Sequence, residues 1–235
     1  MPASKNIPAR NVANWVNWHA VAMSLSVAAV YLLHSSAPVG LAALLSFSFL
    51  LLHRWQYFER PAVRRRYAHQ LTLIRLMLLC YAAFRINDID WTWLLAIFTT
   101  NVLLDVIDGI VARRFAQSSD FGTTFDREVD GLYVLVACLY FDIAGGIGAW
   151  ILIPGLLPYG YRLIVWMTGA PANTSQKQSH AAILAGLNFV LLLIAVAAPP
   201  NYRLIVLVIS ATIVTLSFLI SFWMLFRRRD ANSVF

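Results

Sequence analysis

The chain has 235 residues, of which 60% are hydrophobic, and its mean hydropathy is +0.69. This composition excludes an ordinary soluble globular protein and predicts an all-α, polytopic membrane protein built as a helical bundle. The formal net charge is +7. Because the arginines lie beside apolar segments, we interpret them as orientation signals and contacts to anionic membrane lipids, and we expect no nucleic-acid partner.

Eight apolar segments are long enough to cross the ~30 Å hydrocarbon layer, and we expect each to form a transmembrane helix. In chain order they cover residues 14–34, 38–58, 71–87, 91–115, 123–143, 147–169, 180–198 and 203–226. We expect no cleavable signal peptide, because the first apolar segment is long enough to span. The predicted organisation is a pair of N-terminal transmembrane helices in residues 1–58, a basic juxtamembrane segment at 59–70 and a six-helix core at 71–230. The basic segment suits either an interfacial helix or a linker.

The basic residues predict the orientation of the helices, because lysine and arginine are enriched on the cytosolic side of membrane proteins. With eight spans, both termini lie on the same side, and only Arg85 and Arg203 fall near the opposite side. The basic residues of the first side are Arg54, Arg60, Arg64, Arg65, Arg66, Arg113, Arg114, Lys177, Arg227, Arg228 and Arg229. We therefore expect both termini, and any active site, to face the cytosol.

Four aspartates interrupt the fourth and fifth predicted helices, namely Asp105, Asp108, Asp126 and Asp130. A carboxylate near the membrane interior costs about 2.5–3.5 kcal/mol and needs a compensating partner. A turn centred near Gln117 or Ser118 would place Asp108 opposite Asp126 and Asp105 opposite Asp130. Oxygen ligands of this kind suit Mg²⁺ or Mn²⁺, and two ions about 3.5–4 Å apart are typical of displacement at phosphorus. The alternative is a buried ion-pair network with arginine.

Small residues share the aspartate face of the fourth helix, where Asp105, Asp108, Gly109 and Ala112 follow i, i+3, i+4, i+7 spacing. Gly109 and Ala112 leave room for a base or sugar to approach the backbone. Arg113, at the end of the helix, suits a phosphate through its planar guanidinium. Small residues are also ordinary contacts between membrane helices, so only their joint spacing with the aspartates indicates a nucleotide site.

Residues 105–130 read DVIDGIVARRFAQSSDFGTTFDREVD, which fits the pattern DxxDGxxAR, eight residues, GxxxDxxxD. This pattern resembles the signature of the CDP-alcohol phosphotransferase family, and the six apolar segments from residue 71 onward match the six-helix core of that family. The preceding segment HQLTLIR at 69–75 resembles the family's Asn-x-x-Thr-x-x-Arg motif. Thr72 and Arg75 match this motif, whereas His69 stands at the asparagine position.

The resemblance implies a reaction in which an alcohol attacks the phosphorus of a CDP-linked donor and CMP leaves. It implies that Asp105, Asp108 and Asp126 are metal ligands, and that Asp130 is either a further ligand or the general base. Asp126 and Asp130 are then the catalytic residues. The implied nucleotide-binding residues are Thr72, Asp105, Asp108, Gly109, Ala112, Arg113 and Gly122. The resemblance also implies a homodimer.

The donor that the resemblance favours is CDP-diacylglycerol, and the acceptor is indicated by two basic residues. Arg162 lies within the sixth helix, and Lys177 lies in SQKQSHA, which resembles the GKxKTA stretch of phosphatidylglycerophosphate synthases. Both suit a phosphorylated polyol such as glycerol 3-phosphate or inositol phosphate. Arg162 alternatively snorkels to the interface or closes an internal ion pair, with Asp130 as its partner. A CDP-alcohol donor with a diacylglycerol acceptor is the other assignment within this family.

Two other classes of protein place aspartates in membrane helices. Polyprenyl transferases bind a diphosphate through magnesium, but their aspartate motifs normally lie on well-separated helices, whereas the four aspartates here lie on one predicted hairpin. A cation-coupled transporter or channel would favour glycine or proline interruptions in paired helices, and the fourth and fifth helices contain only Gly109 and Gly131. Both classes are less well supported than the phosphotransferase.

Overall fold

The computed structural model describes residues 9–53, 67–114, 120–169 and 179–232, and this part of the chain forms eight α-helices and no strand. The helices are α1 (Ala9–Leu33), α2 (Ala37–His53), α3 (Tyr67–Arg85), α4 (Trp91–Arg114), α5 (Asp120–Ile143), α6 (Leu152–Thr168), α7 (Ser179–Ala197) and α8 (Pro200–Asn232). A single 3₁₀ turn, Ala149–Ile151, precedes α6. The prediction of an all-α bundle is confirmed.

Several helices are longer than the apolar segments that predicted them. The first helix begins at Ala9 instead of residue 14, and the last continues to Asn232 instead of residue 226. Hydropathy marks the part of a helix that suits the membrane, whereas backbone hydrogen bonding continues into polar residues at either end. With 33 residues, α8 is about 50 Å long at 1.5 Å per residue, which exceeds the hydrocarbon thickness.

Within the described part of the chain, four helical spans are long and apolar enough to cross a membrane. These spans are Val12–Leu33, Trp91–Val111, Ala149–Thr168 and Pro200–Arg227. The apolar stretches Ala37–Leu52 and Ile183–Ala197 are shorter, and α3 and α5 carry buried charged side chains that lower their hydropathy. Length and composition thus support four of the eight predicted spans directly, and the charged helices depend on their neighbours.

The centre of the bundle is α5, in which every residue from Leu132 to Phe141 is buried. It packs against α3 on one side and α6 on another. The approach of α6 requires Gly155, because a Cβ atom there would lie 3.1 Å from the Cα atom of Leu135. Side chains on several faces of α5 are therefore held by protein.

The helix α4 begins with a side-chain cap and carries an apolar stripe on its outer face. The Thr92 backbone N–H donates to Asp90 Oδ1 over 2.8 Å, which satisfies one of the free N–H groups at a helix start. The exposed stripe of α4 consists of Leu103, Val106, Ile107 and Ile110. This i, i+3, i+4, i+7 spacing places the apolar stripe on one side of α4. The stripe suits contact with lipid. The aspartates of α4 do not belong to it, since Asp105 is half-buried and Asp108 is buried.

Some predictions fall largely outside the described residues. Most of the basic segment at 59–70 belongs to the part of the chain between α2 and α3 that the structure does not describe, so its interfacial location stays a prediction. The boundaries of the N-terminal pair and the six-helix core, and the orientation of the termini, stay predictions as well.

Candidate active site

The guanidinium of Arg75 on α3 is the centre of the candidate site, and its side chain is only 1% exposed. Its Nη1 atom lies 2.8 Å from Asp105 Oδ1 and 2.6 Å from Asp126 Oδ1. Its Nη2 atom lies 2.5 Å from Asp130 Oδ1. The planar guanidinium presents several donors in one fork, so a single side chain of α3 joins carboxylates from α4 and α5.

The fourth aspartate, Asp108, is held by a different residue of α3. The Thr72 hydroxyl donates to Asp108 Oδ2 over 2.7 Å, and both side chains are buried. Because Thr72 and Arg75 are three residues apart, they lie on one face of α3. That face therefore contacts all four aspartates, which explains why the Thr-x-x-Arg spacing accompanies the aspartate pattern.

The grouping of the aspartates differs from the two pairs predicted from the sequence. Carboxylate oxygens of Asp105, Asp126 and Asp130 all lie within 4.8 Å of one another, whereas Asp108 is bound to Thr72. Asp105 and Asp130, which the sequence pairs with each other, are close together, and Asp126 joins them. Matching the depths of α4 and α5 takes no account of α3. The guanidinium of Arg75 on α3 contacts three of the carboxylates.

The three clustered carboxylates are open on one side although Arg75 is not. The side chains of Asp105, Asp126 and Asp130 are 31%, 38% and 30% exposed. Among these contacts, each carboxylate meets Arg75 through Oδ1. The three carboxylates are therefore accessible to a ligand although Arg75 is buried.

The donor set fits a hard divalent cation. Four carboxylates contact or surround a single guanidinium, so the site keeps an excess of negative charge that is costly in a low-dielectric interior. Carboxylate oxygens are the ligands preferred by Mg²⁺ and Mn²⁺, and three of them converge within 4.8 Å. The alternative of an arginine ion-pair network is also present in part, because Arg75 forms one. The network leaves enough negative charge for a cation.

The small residues of the predicted nucleotide site lie beside these aspartates. Gly109 on α4 follows Asp108, and Gly122 lies one turn before Asp126 on α5, each with intermediate exposure. Ala112 and Arg113 belong to the last turns of α4, but their side chains lie outside the described residues. The assignment of these four residues to a nucleotide pocket stays a prediction.

The partner of Arg162 is Glu128, which corrects the expectation of Asp130. Arg162 Nη2 lies 3.7 Å from Glu128 Oε1, and the Glu128 side chain is buried. On α5, Glu128 lies two residues from each of Asp126 and Asp130, which is about 200° around the helix. Arg162 therefore contacts the face of α5 that points away from the aspartate cluster. Acceptor binding by Arg162 stays a prediction, and Lys177 lies outside the described residues.

Two functional candidates were missed in the sequence, namely Arg75 as a site residue and Glu128 as an ion-pair partner. Arg75 was noted only as a motif match, although an arginine within an apolar helix is itself a signal for an anionic partner. Glu128 was overlooked because it stands between two aspartates in DREVD. Its position on the other face of the helix was the available signal.

The comparison with known families agrees with this geometry. The family model for CDP-alcohol phosphatidyltransferases matches residues 65–226, which include Thr72, Arg75 and the four aspartates. No curated protein and no solved structure matches the chain significantly. Together with the four apolar spans, the match identifies an integral membrane transferase of phospholipid biosynthesis. The chain belongs to the CDP-alcohol phosphatidyltransferase family.

Proposed function

We propose that the protein transfers a phosphatidyl group from CDP-diacylglycerol to a polar alcohol, with release of CMP, in a reaction that depends on Mg²⁺ or Mn²⁺. The observation that carries this proposal is the convergence of three aspartates on buried Arg75, with their carboxylates left partly exposed. These aspartates are Asp105, Asp126 and Asp130. A diphosphate needs positive charge beside it during displacement, and this cluster suits a divalent cation.

The proposed chemistry is a displacement at the phosphorus that carries the diacylglycerol. The acceptor oxygen forms a bond to this phosphorus, the bond from phosphorus to the bridging oxygen of CMP breaks, and CMP leaves with the electron pair. The acceptor hydroxyl loses its proton, for which Asp130 is the proposed general base. When bound, one or two divalent cations supply the charge that stabilises the transferred phosphoryl group.

The residues of the chain have separable roles in this proposal. Asp105, Asp108, Asp126 and Asp130 are the proposed cation ligands, with Asp130 shared between ligand and base. Arg75 holds three of these carboxylates in place from the buried side. Their carboxylates are thereby preorganised toward the open side, which lowers the cost of arranging them during the reaction.

The nucleotide is proposed to bind along α4 and the first turns of α5. Thr72 fixes Asp108 through a hydrogen bond of 2.7 Å, and Gly109 beside it offers backbone without a side chain. Ala112, Arg113 and Gly122 complete the proposed pocket. A site at this end of the two helices is consistent with entry of the nucleotide from the cytosol and of the lipid from between helices.

The acceptor is proposed to be a phosphorylated polyol, with glycerol 3-phosphate and inositol phosphate as candidates. The proposal draws on Arg162 and Lys177, and it is weaker for Arg162 because Glu128 already balances its charge. A CDP-alcohol donor with diacylglycerol as acceptor would use the same cluster. A homodimer and contacts to anionic lipids are proposed from the family and from the basic residues.

The test is to measure CMP release by the purified full chain in detergent. The assay contains CDP-diacylglycerol, Mg²⁺ or Mn²⁺, and a panel of alcohols that includes both phosphorylated polyols. The same assay is applied to asparagine variants of the clustered aspartates. Their matched control is Asp142→Asn, because Asp142 lies on α5 about 18 Å from Asp130 and accepts a hydrogen bond from Tyr31. The proposal is wrong if CDP-diacylglycerol gives no metal-dependent CMP release with any acceptor, and a CDP-alcohol with diacylglycerol gives none either.

A further inference from the structure

The N-terminal hairpin of α1 and α2 precedes the residues that match the family, yet it packs against the catalytic helices. At its outer end the Tyr31 hydroxyl donates to the Asp142 carboxylate. The Ser36 hydroxyl donates to Asn87 Oδ1 over 3.0 Å. In its middle, Gly40 lets α2 approach α3, because a Cβ atom there would lie 3.0 Å from the ring of Phe84. The hairpin is thus fixed to the bundle at more than one level.

At the level of the aspartates, the hairpin contributes to a buried aromatic cluster. Its rings belong to Trp15, His19, Phe47, Phe121, Phe125 and Tyr159, all of them buried. The centroid of the Phe47 ring lies 4.8 Å from that of His19 and 5.6 Å from that of Phe125. Both ring pairs meet edge to face, an arrangement that stabilises the contact beyond what the buried area alone contributes. Phe47 therefore connects α1 to α5.

Hydrogen bonds fix the hairpin side of this cluster. The Trp15 indole N–H donates to the carbonyl oxygen of Ser46 over 2.9 Å. His19 Nδ1 and the Ser46 hydroxyl share a hydrogen bond of 2.8 Å. Because both bonds end on the residue that precedes Phe47, they restrict the position of the Phe47 ring.

The core side of the cluster reaches the two catalytic aspartates of α5 through their sequence neighbours. Phe125, in contact with Phe47, immediately precedes Asp126. The Tyr159 hydroxyl lies 3.5 Å from the position of a Cβ atom on Gly131, which immediately follows Asp130. The cluster therefore contacts α5 beside both aspartates, on the side away from Arg75.

We propose that Phe47 is a positioning residue for the transferase reaction, which makes the N-terminal hairpin part of the catalytic unit. This inference rests on the proposed function. Phe47 presses on Phe125 from one side of α5 while Arg75 holds Asp126 and Asp130 from another side, so the helix is located between them. Displacements of about 1 Å in reacting groups can cost about 100-fold in rate.

The experiment compares Phe47→Leu with Phe49→Leu in the purified full chain. The control residue lies on the same helix and is 63% exposed, so both variants remove a ring from α2. Measurements are kcat and acceptor KM for CMP release, Mn²⁺ affinity from the paramagnetic signal of free Mn²⁺, and helical content. Phe47→Met is made in parallel as a second apolar replacement, and Phe125→Leu is combined with Phe47→Leu in a double-mutant cycle.

We expect Phe47→Leu to weaken Mn²⁺ binding by at most about tenfold, the lower end of the loss caused by removing groups that hold metal ligands directly, because Phe47 acts through Phe125. We expect kcat to fall and the acceptor KM to stay unchanged, and Phe49→Leu to behave like the unaltered chain. The double variant with Phe125→Leu should be no worse than the more severe single one. Unchanged Mn²⁺ affinity and kcat in both Phe47 variants, or additive effects of Phe47 and Phe125, would overturn the inference. Absence of CMP release by the unaltered chain would instead refute the proposed function, and Mn²⁺ affinity would still decide the role of Phe47.

Discussion

Replacing Arg75 by methionine tests the electrostatic account of the site most directly. The substitution keeps an unbranched apolar stem but removes the guanidinium, which leaves three carboxylates without the contacts of 2.5 to 2.8 Å that they now make. Removing one partner from a buried ion pair costs about 3–5 kcal/mol, because the remaining charge is uncompensated. Because the three carboxylates are 30–38% exposed and partly hydrated, we expect Arg75→Met to lose stability toward the lower end of this range when no divalent cation is present.

Added Mn²⁺ should restore part of this loss. A cation that binds only the folded protein stabilises it by about 2.7 kcal/mol at 100 times its dissociation constant. Since the same carboxylates would bind Arg75 and the cation, the Mn²⁺-induced rise in Tm should be larger in Arg75→Met than in the unaltered chain. Activity should remain low, because the cation does not hold the carboxylates from the buried side.

The assay is thermal unfolding in detergent, with and without Mn²⁺, beside CMP release. Arg85→Met is the matched control, since Arg85 lies on the same helix and its side chain is 52% exposed with a partner at 3.8 Å. An exposed pair contributes about 0–1 kcal/mol, so this variant should differ little from the unaltered chain. If the two arginine variants show the same Tm and the same response to Mn²⁺, Arg75 does not balance the carboxylates and the reasoning fails.

Three further outcomes are expected. Each single asparagine substitution in the cluster, at Asp105, Asp126 or Asp130, should lower kcat by about 100-fold or more while helical content is retained. Asp142→Asn should leave kcat unchanged. Full activity in Asp105→Asn would contradict the cation site. Thr72→Val should destabilise by about 1–3 kcal/mol, because it leaves buried Asp108 without its donor, and Thr72→Ser should restore both stability and CMP release. Leucine at Arg162 or Glu128 alone should lower Tm more than both changes together. Arg162→Leu should also raise the KM for phosphorylated acceptors; an unchanged KM would leave Arg162 as the ion-pair partner of Glu128 alone.

Much of the architecture follows from the sequence because membrane helices can be recognised from their local composition. The apolar segments predicted each of the eight helices that the described residues form, and the spacing between Asp105 and Asp130 indicated the family that the match over residues 65–226 shows. Helix ends were less accurate, since polar residues continue a helix beyond its apolar part. Hydropathy predicts the part of a helix that lies in lipid, but it does not predict the residue at which the backbone hydrogen bonds of the helix end.

The arrangement of the site was harder to predict, because it depends on which helices are neighbours. Periodicity places Asp126 and Asp130 on one face of α5 and Glu128 on another, but it does not say which helix lies against each face. The structure sets Arg75 against the first face and Arg162 against the second. A hairpin considered alone therefore gave neither the grouping of Asp126 with Asp105 and Asp130 nor the partner of Arg162.

The central position of α5 has an electrostatic cause. A helix with Asp126, Glu128 and Asp130 has acidic groups on opposite faces, so any orientation toward lipid would expose a charge to hydrocarbon at a cost of a few kcal/mol. Only a helix surrounded by others can give each carboxylate a cationic partner, and Arg75 and Arg162 supply these from α3 and α6. The same enclosure leaves one side of the Asp126 and Asp130 carboxylates open, where no lipid chain needs to lie. Enclosure of α5 among its neighbours therefore buries Glu128 and Arg75 but still leaves the Asp126 and Asp130 side chains 38% and 30% exposed, so both carboxylates remain accessible to a ligand.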